Sequence, residues 1–273
     1  MLIRQHNPIQ ESGCWDESGI HHHAWIASIG GSMNAGPRLA SISGASLREA
    51  QRDESRPGWP EIIVGLLVLA VVGYGGGSQL SRLGLDPVTY GLIFTALSGI
   101  AGLAGFGAAM MLRIRSWEAF GFRRTTRRWL FIAVGAGLAA FVVKAVAIVL
   151  YVQLTGAGTD TQAMYAAGGS GGALSLVLAT LFLGVLTPLG EEFLFRGVVA
   201  TALLRYGPVI GVVGSTLIFA IMHGINMVFP AALVAGLVTG EIFRRSGSIW
   251  PAVVVHVVFN LPTVPVMVLA ATR

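Results

Sequence analysis

The sequence predicts an all-α fold: a polytopic transmembrane helical bundle of about seven spans, with an amphipathic connector after the fourth. Three observations carry this. Of 273 residues, 54% are apolar and only 11% are charged, against about 25% charged in soluble domains, so the chain has too few charged side chains to cover a water-facing surface. The apolar residues gather into runs near the ~20 residues that a spanning helix needs, and mean hydropathy is +0.72. The 37 glycines fall largely inside those runs, where close helix contact uses them.

Taken in order, the expected spans are 61–80, 88–112, 129–153, 173–195, 208–226, 229–244 and 249–270. Residues 1–57 hold no run long enough to span and read as a disordered cytoplasmic tail. Its His21-His22-His23 run reads as a mobile polar tract, and Met33 is an alternative start that would remove 1–32. Residues 58–160 form a unit of three N-terminal helices and 173–270 a four-helix core. Arginines flank the spans: Arg38, Arg48, Arg52 and Arg56 before the first, Arg113, Arg115, Arg123, Arg124, Arg127 and Arg128 after the second, Arg205 after the fourth, and Arg244 with Arg245 after the sixth. Retention of positive charge inside then puts the N-terminus in the cytoplasm, and arginine in place of lysine hints at a bacterial plasma membrane. Residues 155–172, Gly-rich and without a base, read as a flexible external loop. The pairs Gly236 with Gly240 and Gly73 with Gly77 have the spacing that lets helices approach closely.

Several function classes are excluded. The bases sit at the ends of spans rather than in a continuous patch with polar readers, so nucleic acid is not a partner. Cys14 is the only cysteine, which rules out an internal disulfide or a cysteine-ligated metal cluster. No His-Glu-x-x-His and no Gly-x-Gly-Asp occurs. Gly168-Gly169-Ser170-Gly171-Gly172 matches Gly-x-Ser-x-Gly only formally, within a low-complexity stretch.

What remains is a small set of polar side chains in apolar surroundings, each costing about 2.5–3.5 kcal/mol at membrane depth. Glu192 and Arg196, four apart, share a helix face, and Glu191 is turned about a hundred degrees away. The spacing predicts Glu192 neutralised by Arg196 and Glu191 left to face a cavity. Phe219 with His223, and His256 with Asn260, repeat the four-residue spacing on two later helices. Glutamate, two histidines and an asparagine are the parts for activating a water: a base, a metal ligand or proton relay, and an oxyanion donor. Any one alone reads as charge pairing or helix glue; three on separate helices are harder to assign so. Glu241 pairs with Arg244 and Arg245 near a helix end. Lys144, in the third span, either snorkels or meets an acid.

The strings EEFLFRG (191–197), FAIMH (219–223) and HVVFN (256–260) resemble, in order and on separate helices, the three motifs of the CPBP intramembrane proteases, also called the CAAX-processing or Abi family. The resemblance covers 173–265. It implies an intramembrane endopeptidase that hydrolyses an amide bond of a membrane-associated protein or peptide. Glu191 would activate water with help from His223, while Asn260 and His256 stabilise the oxyanion and Glu192, Arg196 and Phe219 give structural support. Either no cofactor is used or Glu191, His223 and His256 hold a divalent metal such as zinc. The rival readings are a non-catalytic membrane scaffold or bacteriocin-immunity protein, and a proton-relaying transporter. Up-and-down spans put His223 about 22 Å deeper than Glu191 at 1.5 Å per residue, and a connector over 197–207 lying within the bilayer is expected to remove the mismatch.

Overall fold

The computed structural model describes residues 56–158 and 162–271. Apart from its last two residues, the expected tail, with its histidine run and both possible starts, lies outside the described residues. Among the described residues there is no strand. The helices are α1 (Trp59–Leu80), α2 (Pro87–Leu112), α3 (Arg127–Thr155), α4 (Ala163–Gly169), α5 (Ala173–Tyr206), α6 (Ile210–Met222), α7 (Phe229–Ser246), α8 (Ile249–Asn260) and α9 (Thr263–Ala271).

Local sequence sets the helix ends. Asp86 caps α2, its carboxylate accepting from the Val88 and Thr89 amides at 3.0 and 3.1 Å, and Pro87 follows where its missing N–H costs nothing. Glu61, in the first turn of α1, accepts from the Gly58 amide at 2.7 Å and from Arg113 Nε at 2.7 Å. That contact ties the start of α1 to the end of α2.

Five segments are long and apolar enough to cross a membrane: α1, α2, α3, α5 and α8 with α9. The other two expected spans appear as the shorter apolar α6 and the 18-residue α7. Large apolar side chains on one face of α3, Phe131, Leu138, Val142, Val146 and Val149, are exposed. Water would not tolerate such a surface, but acyl chains do, and the chain is an integral membrane protein. The arginine-bearing ends share one end of the bundle. Arg205 donates to the Pro57 carbonyl, Ser248 Oγ to the Arg123 carbonyl at 2.7 Å, and the Ile249 amide to the Gly121 carbonyl at 2.9 Å.

The core is built around α5, which packs against α2, α6, α7 and α8. It is 34 residues long and winds wide over Phe182–Leu186 and Phe193–Ala200. The amphipathic connector expected over 197–207 is corrected: residues 197–206 continue α5, and Gly197, Val198, Val199, Ala200, Ala202 and Leu203 are buried. Arg196 looked like the end of a span, but neighbouring helices enclose it completely. Glu191 therefore lies within α5, as many residues before the turn at Gly207 as His223 lies after it, and the depth mismatch vanishes.

Backbone contact holds α5 in place. A Cβ on Gly102 of α2 would stand 2.5 Å from the Gly190 carbonyl carbon and 3.0 Å from the Glu191 amide nitrogen, and one on Gly190 would strike the Gly99 carbonyl. Only glycine permits this approach. Gly102→Leu is expected to cost about 1–3 kcal/mol through overpacking, read as a lower midpoint of thermal unfolding in detergent. Gly107→Leu, on the same helix with nothing within 4 Å of its Cβ position, is expected to leave that midpoint unchanged. Of the two glycine pairs picked out by spacing, Gly236 presses on the Thr216 side chain, while Gly73 and Gly77 meet neighbours at looser distances of 3.6 and 3.3 Å.

The expected flexible loop at 155–172 also differs. Its described part contains α4, which packs on α2 and α9 with Gly168 and Gly169 buried. Tyr165 lies against the Phe94 ring at 5.9 Å between centroids. Ser170 is exposed, and its hydroxyl donates to the Ala167 carbonyl at 2.8 Å, which is helix-end geometry.

Candidate active site

Glu191 and Glu192 are consecutive on α5 just before its wide turns, a kind of winding found often at functional sites. Both are buried, Glu191 at 6% exposure and Glu192 at 0%, yet they face different surroundings.

Glu192 belongs to a closed polar network. Its Oε2 lies 3.1 Å from Arg196 Nε, one turn on, and its Oε1 takes His256 Nδ1 from α8 at 2.8 Å. Arg196, also at 0% exposure, aims Nε at Thr239 Oγ1 of α7, 2.9 Å away, and Nη2 at the same oxygen. Thr239 passes its own proton to the Ala235 carbonyl at 2.8 Å. Because Nε is directed at Thr239, the contact with Glu192 is a charge pair without hydrogen-bond geometry, and Glu192 Oε2 and Arg196 Nη1 carry no hydrogen bond. The guanidinium also lies 5.1 Å over the Phe219 ring, an attractive cation–π placement.

Glu191 is faced by both imidazoles. His223 Nε2 stands 3.5 Å from Oε1 and His256 Nε2 stands 3.7 Å from Oε2. The partner of each Nδ1 fixes the ring. His223 Nδ1 meets the Phe219 carbonyl at 2.8 Å, and a carbonyl only accepts. His256 Nδ1 meets the Glu192 carboxylate. Nδ1 therefore carries the proton on both rings, and Nε2 turns toward Glu191. His223, with its side chain 25% exposed, forms the accessible edge of the cluster.

Local sequence sets His223 at the end of α6. Gly224 adopts φ +84°, a left-handed conformation that ends the helix and suits glycine. Asn226 then donates to the His223 carbonyl at 3.1 Å and accepts from the Val228 amide at 2.8 Å. Phe219, at 1% exposure, is the packing centre. Its ring lies 4.4 Å from His223, 4.9 Å from Phe195 and 5.9 Å from His256.

Of the residues expected at the site, α5, α6 and α8 bring Glu191, His223 and His256 together, with Glu192, Arg196 and Phe219 around them. Asn260 makes a different contact: its Nδ2 donates to the Leu183 carbonyl of α5 at 3.3 Å. A carboxylate and two Nε2 atoms are zinc-type donors, but among the described residues no group of three or more His, Cys, Asp or Glu is arranged to hold a metal ion.

Sequence reasoning missed two contributors and misassigned the partners of a third residue it had singled out. Thr239 is unremarked within an apolar helix. Tyr74 of α1 donates its hydroxyl to the carbonyl of Met222, the residue before His223. Lys144 meets neither lipid nor an acid. No spacing rule flags any of these, since each acts on a helix distant in sequence.

No curated protein and no solved structure matches the chain significantly. Residues 173–262 match the family described as type II CAAX prenyl endopeptidase, Rce1-like. That stretch runs from the start of α5 to just past α8 and contains the whole glutamate–histidine cluster. Over that stretch the chain carries a region similar to the type II CAAX prenyl endopeptidase family.

Proposed function

We propose that Glu191 is the general base of an amide-hydrolysing site and that the substrate is a membrane-associated protein or peptide. One observation carries the reading: of two adjacent buried glutamates, Glu192 is tied to Arg196 and His256, while Glu191 faces the Nε2 atoms of two imidazoles 3.5 and 3.7 Å away. Gaps of that length suit a bridging water.

In the proposed reaction Glu191 removes a proton from water as its oxygen attacks the peptide carbonyl carbon. His223 Nε2 helps to orient that water. The oxygen of the tetrahedral intermediate is stabilised by His256 and by Asn260, whose amide has a second N–H beyond the one given to Leu183. Collapse breaks the C–N bond, and Glu191 returns the proton to the leaving nitrogen. Side chains and water carry every step. The arginine-rich end of the bundle would lie in the cytoplasm, of a bacterial plasma membrane.

The test is peptidase activity of the purified full chain in liposomes, on farnesylated and unmodified C-terminal peptides. His223→Ala is expected to lower kcat by about 10²-fold without changing the amount of folded protein. A chelator is expected to leave the rate unchanged; loss of activity with chelator and recovery with zinc would defeat the metal-free chemistry. Full activity in His223→Ala would defeat the site.

A further inference from the structure

The chain's only lysine, Lys144, lies deep in α3 and is 8% exposed. Its ammonium donates to the Phe259 carbonyl at 3.0 Å and to Thr263 Oγ1 at 3.0 Å. It also stands 4.6 Å above the Phe141 ring and 4.2 Å above the Phe259 ring. No carboxylate is among these partners. The charge is held by a carbonyl, a hydroxyl and two π faces.

The position of these partners is what matters. Phe259 and Thr263 stand on either side of the break between α8 and α9, where Leu261 and Pro262 interrupt the helix just after Asn260. A helix end leaves its last carbonyls without an intrahelical donor. A cation there meets the negative end of the helix dipole. Lys144 therefore closes the end of α8 and clamps it to the start of α9. Asn260 sits inside the clamped segment, with His256 one turn before it. The Phe259 ring lies 4.2 Å from the ammonium and 6.1 Å from the His256 ring, so the clamp also backs the imidazole. On the far side, Asn260 is held by the Leu183 carbonyl.

We propose that Lys144 is a positioning residue for the hydrolytic site: from a helix outside the matched stretch 173–262, it fixes the α8–α9 break and so the placement of Asn260 and His256. The proposal rests on the endopeptidase reading. It makes α3 a working part of the enzyme rather than a lipid-facing support.

The experiment uses the full chain in liposomes with a peptide that the unsubstituted protein cleaves. Lys144→Met keeps the length of the side chain but removes its charge and donors. It is expected to lower kcat at least tenfold with KM changed less than threefold, and to speed amide hydrogen exchange over 256–266 while exchange in α2 stays the same. Lys144→Arg is expected to restore kcat to within threefold. In an Asn260→Ala background the further loss from Lys144→Met is expected to fall below threefold, because both changes act through one segment. A kcat within twofold of the unsubstituted value in Lys144→Met overturns the proposal, as does a full tenfold loss in the Asn260→Ala background. If Lys144→Met does not fold, Thr263→Val decides. It removes one of the two hydrogen-bond partners, and an unchanged kcat in that variant overturns the proposal. Should the unsubstituted protein show no cleavage that Glu191→Gln abolishes, the endopeptidase reading itself fails and takes this one with it. Cleavage that is sensitive to Glu191→Gln but not to Lys144→Met sinks the lysine proposal alone.

Discussion

Glu191→Gln is expected to lower kcat by about 10²–10⁴-fold, the range that general acid–base catalysis contributes, and to leave folding and membrane insertion intact. The substitution keeps the shape of the side chain and removes a carboxylate that faces two imidazoles. No arginine or lysine pair is broken, and both facing imidazoles can stay neutral once the carboxylate is gone. Its neighbours hold themselves: His223 Nδ1 stays on the Phe219 carbonyl at 2.8 Å and His256 Nδ1 on Glu192 at 2.8 Å. The rings keep their orientation around an amide that cannot accept the proton of an attacking water. The measurement is single-turnover cleavage in liposomes beside thermal unfolding in detergent. A scaffold or immunity protein would give equal function for wild type and Glu191→Gln. Retention of cleavage within threefold would remove Glu191 from the chemistry, and a collapse in stability would make it a structural residue.

How much of this was legible in the sequence depended on the range of the forces involved. The apolar runs follow from the thickness of the bilayer, and each of the seven has a helix. The motif residues were legible because helical spacing relates Glu192 to Arg196 and Phe219 to His223 within single helices. The connector was misread because Arg196 has the chemistry of a helix end in lipid. Its contacts with Thr239 from α7 and Phe219 from α6 lie within the bundle, and they span long stretches of chain. The helix in the 155–172 segment was hidden for a similar reason: its packing rests on Gly168 lying directly against the Gly91 backbone, a contact distant in sequence. The roles of Lys144 and Asn260 depend on carbonyls, at Phe259 and Leu183, which every residue possesses and no motif can mark.

Arg196→Met is expected to produce the largest loss of stability, about 3–5 kcal/mol, the cost of leaving one member of a buried ion pair without its partner. Both Glu192 and Arg196 are fully buried, and neither has water to fall back on. Without the guanidinium, Glu192 keeps only His256, and Thr239 loses both of its donors from Arg196. The expected result is little folded protein on extraction and a strongly lowered unfolding midpoint. Glu192→Leu combined with Arg196→Met separates folding from function. Apolar groups of similar volume can replace a buried pair at little cost or even stabilise the fold, so the double variant is expected to regain most of the folded protein. It should not regain cleavage, because His256 Nδ1–H then has no carboxylate to set its tautomer and direct Nε2 at Glu191. Unfolding midpoints and kcat for the two single variants and the double variant form a cycle. Recovery of stability without recovery of kcat assigns the pair two tasks, holding α5 within the bundle and orienting His256. Recovery of both would show that His256 needs no orienting partner, and a stable Arg196→Met would show that the ion pair does not hold the fold.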